Sequence, residues 1–282
     1  MTESSLACVS PSTPTEQRRE LLPEPGLQAS PSAPNLLKAE LYRDALPRVA
    51  GPGNPRRANM ALVIPDYAAR MAVLDFEGFP SKEEERMTLL RFRLRKSVPF
   101  PIEEAQLAYA LQSEEQGRVE ALVVAIARPI LAEYESIFIE AGYRLGLVLP
   151  SSIAALRLCD RGESGLTLLA KAAGANLSVI LLEGGRVRLV RSLDLTGEED
   201  DWQRPAAQAV MPLLQQTLAY CEDQIGRTAG KLILCGFGPE TESLGQLAEL
   251  EFGLPFSPVR SKFGIASQEN AGLLGLLEQY AA

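Results

Sequence analysis

The sequence has no histidine among its 282 residues. This absence excludes Ser-His-Asp and Cys-His nucleophile pairs and every zinc site that needs a histidine ligand. The four cysteines also stand alone, without any C-x-x-C spacing: Cys8, Cys159, Cys221 and Cys235. We therefore predict neither a disulfide framework nor a metal site, and the cysteine pattern is typical of a reducing compartment.

Long hydrophobic runs are absent as well. The longest purely apolar stretch, Ala121 to Ala127, is far shorter than the roughly 18 residues that a membrane span needs. Acidic residues outnumber basic ones 36 to 28, which gives a formal net charge of -8. This balance argues against bulk binding to nucleic acid or to anionic lipid. We predict no membrane span and no nucleic-acid partner.

Prolines are concentrated at the start of the chain, where nine of the 20 precede residue 57. We interpret residues 1–56 as an extended, partly disordered lead-in. It contains one short strand at Leu6 to Ser10 and one helix at Asn35 to Leu46.

From Met60 onward, short apolar runs alternate with helical patterns, which is typical of an α/β fold. One helix is predicted to start at a capping box, Ser81-x-x-Glu84, and to end before Pro99. Another ends at Gly142, in the left-handed conformation that glycine favours. In the second half, Gly184-Gly185 predicts a two-residue hairpin turn. The two halves look like related α/β lobes.

Two glycine turns could approach a nucleotide. Gly236 and Gly238 follow a predicted strand, but a dinucleotide fingerprint would require glycine where Thr241 stands. Gly174 lies in the turn between the first two strands of the second lobe, and Lys171 to Ala173 supply no carboxylate for magnesium. Each turn can be interpreted as a phosphate or nucleotide contact or as an ordinary connection between elements.

A basic helix end precedes an apolar turn. Arg91 and Arg95 are four residues apart and share a helix face, and Val98, Pro99 and Phe100 follow. The arginines could simply complement the helix dipole on a solvated surface. They could also form the basic rim of a peptide groove with an apolar floor. Both interpretations remain open.

Three segments together resemble the PilM family of type IV pilus assembly proteins, which are cytoplasmic members of the actin-like ATPase superfamily. The first is Leu90 to Tyr109, which contains a basic helix end, a Pro-Phe turn, an acidic pair and a strand. The second is Ala132 to Gly142, which follows a hydrophobic strand. The third is Gln215 to Gln224, ahead of the Gly236-Phe237-Gly238 turn.

The resemblance, which covers about residues 58–282, implies an actin-like (ribonuclease H-like) α/β fold with two lobes around a cleft. It implies a first lobe at 57–160 with an inserted subdomain, a second lobe at 161–264, and a C-terminal helix at 265–282 that returns to the first lobe. Members begin with a strand hairpin whose acidic-x-Gly turn contacts phosphates, and we expect this chain to lack that hairpin. Nucleotide contacts would remain only at Gly174, Gly236 and Gly238, so we expect ATP to bind weakly or not at all.

By the same resemblance, we expect a non-catalytic cytoplasmic scaffold, held at the inner membrane through its partners. Those partners would be other pilus motor or platform proteins and the N-terminal tail of a PilN-like membrane protein. The tail would bind at Arg91, Arg95, Val98, Pro99 and Phe100. The alternative is an active ATPase or phosphotransferase of the same superfold. An in-frame hairpin with an acidic-x-Gly turn, encoded upstream of Met1, would favour that alternative.

Overall fold

The structure is a computed structural model that describes residues 1–51, 59–115, 118–159, 165–195 and 207–280. The helices are α1 (Ala39–Ala50), α2 (Glu83–Leu94), α3 (Arg128–Glu140), α4 (Ser151–Ala155), α5 (Ala207–Tyr220), α6 (Glu240–Phe252) and α7 (Ala271–Tyr280). The strands are β1 (Ser5–Ser10), β2 (Thr13–Leu21), β3 (Asn59–Ile64), β4 (Arg70–Phe76), β5 (Ala105–Glu115), β6 (Arg118–Ala127), β7 (Arg144–Pro150), β8 (Leu166–Ala173), β9 (Asn176–Glu183), β10 (Arg186–Asp194), β11 (Ala229–Cys235), β12 (Phe256–Pro258), β13 (Arg260–Ser261) and β14 (Gly264–Ile265).

The second half is built on a five-stranded sheet in the order β10-β9-β8-β11-β12. Strands β8 and β9 are apolar along nearly their whole length because both faces of the sheet are covered. One face packs against α5 and α6, which bury Leu214 and Leu244. The predicted Gly184-Gly185 hairpin is confirmed, and both glycines have positive φ angles.

Besides the N-terminal β1–β2 pair, the first half contains two smaller sheets. Strands β3 and β7 pair in parallel, and the helices α1 and α3 pack beside them around Tyr42 and Tyr134. Strands β4, β6 and β5 form an antiparallel sheet, against which α2 buries Leu90 and Leu94. The fold class is therefore α/β, as the alternation of sequence patterns predicts.

The N-terminal segment corrects one expectation. It was predicted to be partly disordered. Instead, β1 and β2 form an antiparallel hairpin, and Leu6, Leu27 and Tyr42 are buried in the core of the first half. The Tyr42 hydroxyl donates to the backbone oxygens of Thr2 and Glu3. Among the described prolines, Pro11 lies in the hairpin turn, Pro14 in β2 and Pro47 in α1. The apolar residues between them bury enough surface to order the segment.

The hairpin does not have the phosphate-binding turn of the resemblance. Its two strands are joined at Pro11-Ser12, and no acidic-x-Gly sequence occurs there. The expected absence of the phosphate-loop hairpin therefore stays a prediction.

The predicted capping box is also wrong. Helix α2 begins at Glu83, after Lys82, and no side chain caps its first turn. Three consecutive glutamates, Glu83 to Glu85, lie there instead, where the positive end of the helix dipole stabilises them. The predicted end of α3 is confirmed, because Gly142 has φ 88° and the Tyr143 N–H donates to the Phe138 oxygen at 2.9 Å.

Helix α7 packs against the first half of the chain. A Cβ at Gly272 would lie 2.6 Å from Cγ1 of Val63, and a Cβ at Gly275 would overlap the backbone of Ala154 in α4.

Two predicted lobe boundaries, 56/57 and 160/161, fall in or next to segments outside the described residues. Within the described ranges, no helix is long and apolar enough to cross a membrane.

Candidate functional site

The cleft between the two halves brings two of the predicted glycines together. Gly174 lies in the β8–β9 turn with φ 59°, and Gly236 follows β11 with φ 86°. The Gly174 N–H donates to Oε1 of Gln268 at 3.1 Å, and a Cβ at Gly236 would lie 3.2 Å from Cβ of Gln268. Sequence reasoning missed Gln268, because it lies in the segment before α7 and no motif marks it.

Gly238 has a different local role. It has φ 56°, and its carbonyl oxygen accepts a hydrogen bond from the Thr241 hydroxyl at 2.8 Å, at the start of α6. This geometry is that of a strand-to-helix turn, one of the two interpretations that the sequence left open.

A carboxylate lies against the Gly174 turn. A Cβ at Gly174 would be 2.5 Å from Oε2 of Glu3, which comes from the segment before β1. Burial, assisted by the negative charge of Asp194, raises the pKa of Glu3 to about 7. The open face of this glycine turn is thus covered by an acidic side chain of the same protein.

A buried ion pair joins the two halves deeper in the cleft. Asp66 follows β3, Lys171 is on β8, and their side chains are 2% and 0% exposed. Oδ2 of Asp66 is 3.3 Å from Nζ of Lys171 and accepts a hydrogen bond from the Ser178 hydroxyl at 2.8 Å. Oδ1 accepts from the Ser152 backbone N–H at 2.6 Å. Every partner that a buried carboxylate requires is therefore supplied within the protein.

The sequence carries a signal for this pair, although sequence reasoning did not use it. Lys171 is the only charged residue of the apolar strand β8, and Asp66 follows the buried end of β3 directly after Pro65. Lysine and aspartate are almost never fully buried unless they are paired. A lone charge of each sign in two buried segments could therefore have predicted their contact.

Among the described residues, the Gly174 turn and β8 offer few ligands for a magnesium nucleotide. Magnesium requires oxygen ligands, whereas the β8 position that faces the cleft carries an ammonium group already paired with Asp66. A phosphate at the Gly174 turn would meet the Glu3 carboxylate, and Gly236 is in close contact with the Ala172 backbone. No group of three or more metal-ligating side chains occurs among the residues that the structure describes.

The cleft also contains a thiol. Cys235 is 2% exposed, and burial raises its pKa to about 11. At neutral pH this thiol stays protonated, so it behaves as a small apolar side chain rather than as a nucleophile.

The predicted docking segment lies on the inserted antiparallel sheet, at the end of α2. Arg91, Val98 and Phe100 are half-buried, while Arg95 and Pro99 are exposed. The Phe100 ring packs against two clusters, that of the inserted sheet and that of the first half. The arrangement thus gives a basic helix end next to an apolar turn, at the junction of two packed units.

An exposed aromatic residue lies on the same helix. Phe92, in the last turn of α2, is 74% exposed. Sequence reasoning missed it, although the helical period places Phe92 on the face opposite the buried Leu90 and Leu94.

Known proteins resemble this chain in structure rather than in sequence. No family model matches the chain, and no curated protein matches it. Among solved structures, it is similar to a chain of the PilM-PilN type IV pilus biogenesis complex, with 19% identity and a TM-score of 0.74 over 100% of this chain and 97% of the other. It is also similar to a Bacteroides thetaiotaomicron protein of unknown function with an actin-like ATPase fold, with 14% identity and a TM-score of 0.52 over 96% and 93% of the two chains. The chain therefore has the actin-like ATPase fold.

Proposed function

We propose that this protein is a non-catalytic scaffold of a type IV pilus assembly platform, on the cytoplasmic side of the inner membrane. The observation that carries the proposal is the similarity, over essentially the whole of both chains, to a chain of the PilM-PilN complex. The proposed partner is the N-terminal tail of a PilN-like membrane protein, and further pilus motor or platform proteins would join the same assembly.

The end of α2 supports a peptide-binding role. Phe92 offers a large apolar ring to solvent, and Arg91 and Arg95 place positive charge on the helix face next to it. Exposed aromatic and arginine side chains are the residue types that most often anchor protein interfaces. A tail could bury its apolar residues against Phe92, Val98 and Phe100 while the arginines set its direction.

The contacts of the Gly174 turn support a role without ATP turnover. Glu3 lies against this turn, and its carboxylate would repel a phosphate there. We therefore expect no saturable binding of magnesium-ATP in isothermal titration calorimetry. A dissociation constant in the low micromolar range would contradict this expectation and favour the alternative, an active ATPase or phosphotransferase.

The docking proposal is tested by fluorescence anisotropy with a labelled synthetic tail of the PilN-like protein of the same organism. Phe92→Ala should weaken binding by more than about 1 kcal/mol if Phe92 is an interface anchor. Phe92 is a cleaner target than Phe100, because Phe100 also packs in the core. Leu250→Ala is the matched control, since Leu250 is 83% exposed on the distant helix α6.

Arg95→Glu separates the contribution of charge from that of packing. A charge at the rim of an interface acts mainly on association. The variant should therefore bind the tail more slowly and with a weaker dependence on salt, while the dissociation rate changes little. If neither Phe92→Ala nor Arg95→Glu changes binding of the tail, the docking surface is elsewhere on the molecule. If the tail does not bind at all, the partner assignment is wrong.

A further inference from the structure

A basic surface surrounds an open cavity beside the short β13–β14 hairpin. The cavity has a volume of about 590 Å³. Three cationic side chains line it: Arg157, which follows α4, Arg260 of β13, and Lys262 of the hairpin turn. Together with the neighbouring hairpin residues Phe263 and Ile265, these three residues form a surface that we call the hairpin patch.

The acidic side chain that lines the cavity is already committed to protein groups. Glu278 of α7 accepts hydrogen bonds from the Ser261 hydroxyl at 2.9 Å and from the Lys262 backbone N–H at 3.1 Å. The same carboxylate lies 3.7 Å from the Lys262 ammonium. Within the described residues, neither Arg157 nor Arg260 forms an ion pair. Both guanidinium charges of the cavity are therefore available to an anion.

The neighbouring strand β2 adds no uncompensated negative charge to the patch. Gln17 donates a hydrogen bond to the Phe263 oxygen at 3.2 Å, so its face of β2 lies against the hairpin. Arg19 shares that face and is 3.7 Å from Glu269. Glu16 is next to Gln17 in the strand, and successive side chains of a strand point to opposite faces. Glu16 therefore faces away from the patch.

The hairpin presents apolar side chains next to these cations. Ile265 is 90% exposed, and the Lys262 ammonium lies 4.9 Å from the centre of the Phe263 ring. Arg260 pairs in register with Ile265, so the two side chains lie on the same face of the hairpin. The side-chain amide of Asn270 donates to the Ile265 oxygen at 3.1 Å and fixes the backbone there. The isoleucine is thus held in an exposed position beside a guanidinium.

An anionic bilayer fits this surface better than a peptide does. A peptide groove encloses the apolar residues of its ligand, whereas Ile265 is itself almost fully exposed and free to enter a layer of headgroups. The flanking cations complement lipid phosphates. The whole chain has a net charge of -8. At physiological ionic strength, however, exposed charges more than about 8 Å apart are largely screened, so the local charge governs the contact.

We propose that the hairpin patch binds anionic phospholipids at a membrane surface. Arg157 and Arg260 would contact lipid phosphates around the cavity, and Ile265 would enter the interface between headgroups and acyl chains. This contact is made by the protein itself, whereas the proposed function attaches the protein to the membrane through a partner. The patch shares no residue with the end of α2, so the two proposals fail or succeed separately.

The test uses the whole protein and phospholipid vesicles, without any partner protein. The vesicles are phosphatidylcholine, in which increasing fractions are replaced by phosphatidylglycerol, and co-sedimentation measures the bound protein. We expect binding to increase with the fraction of phosphatidylglycerol and to decrease as salt is added. Soluble glycerol phosphate is titrated in parallel. If it binds while the vesicles do not, the cavity takes a soluble phosphate and the proposal is overturned.

Charge reversal locates the binding on the molecule. The double variant Arg157→Glu/Arg260→Glu should weaken binding to phosphatidylglycerol vesicles at least about tenfold, because both cations facing the phosphates are replaced by anions. The matched control is Arg128→Glu/Arg144→Glu, which changes the net charge equally. Arg128 begins α3 and Arg144 begins β7, and both are exposed outside the patch. Equal losses for the two double variants would show that only net charge matters and would overturn the proposal.

The apolar contact is tested at Ile265. Ile265→Ala should weaken vesicle binding several-fold, whereas Leu250→Ala should leave it unchanged, since Leu250 is 83% exposed on α6, outside the patch. Ile265→Trp adds a direct probe of insertion. Its fluorescence should be quenched by brominated phosphatidylglycerol, and the parent protein, whose only tryptophan is Trp202, supplies the background.

Three further results would contradict the proposal. The first is the absence of binding to vesicles at every fraction of phosphatidylglycerol. The second is equal binding to vesicles with and without phosphatidylglycerol. The third is an Ile265→Trp variant that binds vesicles but shows no more quenching than the parent protein.

Discussion

The inter-half cleft and the end of α2 belong to one fold but are built in opposite ways. In the cleft, Asp66 and Lys171 are almost fully buried, and each finds its partner inside the protein. At the end of α2, Phe92 and Arg95 are exposed to solvent. The difference teaches that charges of this protein are either enclosed and paired with each other, as in the first region, or left at the surface where another molecule can reach them, as in the second.

The largest expected effect breaks the buried half of this comparison. Lys171→Met should destabilise the protein by about 3–5 kcal/mol, because it leaves the Asp66 carboxylate buried without its counter-charge. Urea denaturation monitored by circular dichroism measures the loss. The double variant Asp66→Leu/Lys171→Met should recover much of it, since an apolar pair needs no solvation.

The matched control for that variant is Arg43→Met. Arg43 pairs with Glu140 at 2.9 Å, but both side chains are about half exposed. Loss of a surface pair should cost less than about 1 kcal/mol. Equal losses for Lys171→Met and Arg43→Met would mean that the buried pair contributes no more than a surface contact.

A smaller effect concerns Glu3 and pH. Its pKa is raised from 4.5 to about 7 in the folded protein, so between these values the folded state holds a proton that the unfolded chain has released. The contribution of Glu3 to stability should therefore decrease as pH rises from about 4.5 to about 7. The Met1 ammonium contributes in the opposite sense, because burial lowers its pKa from 8.0 to about 5. The groups that face Glu3 are Asp194, Tyr42 and the Gly174 turn.

The measurement compares urea melts of the wild type and Glu3→Gln across that interval. The variant cannot titrate at this position, so its stability relative to the wild type should rise as pH increases over that interval. Glu269 does not confuse the result, because its pKa is lowered and its contribution changes below 4.5. Parallel pH profiles for the two proteins would show that Glu3 is not the responsible group.

The smallest effect tests the start of α2. Ser81→Ala should change the free energy of unfolding by less than about 0.5 kcal/mol, because Ser81 makes no capping bond and is exposed. A loss near 1 kcal/mol would indicate that the capping box forms after all. The denaturant midpoints of the wild type and the variant, compared at an unchanged m-value, decide between the two outcomes.

The strongly patterned elements could be predicted from the sequence. Helix α3, the Gly184-Gly185 hairpin and the strands of the second half follow from local signals that the tertiary structure does not override. The N-terminal hairpin could not be predicted, because its order depends on burial of Leu6 and Tyr42 by residues distant in sequence. A high proline content indicates how the isolated segment behaves. It does not show whether other parts of the chain cover the segment's apolar side chains.

The candidate site was predictable only in part. Gly174 and Gly236 were identified from their turns, and the structure brings them together. The residues that cover them, Glu3 and Gln268, come from the two ends of the chain and carry no motif. Contacts of that kind depend on topology, which local spacing does not encode.

The distance along the chain between Asp66 and Lys171 has a consequence for folding kinetics. The two residues are separated by 105 positions, so their contact requires both halves to have largely formed. Contacts that form after the transition state affect the unfolding rate far more than the folding rate. The pair would then form late in folding. It would add little to the folding rate, and it would mainly slow unfolding and so lengthen the lifetime of the folded protein.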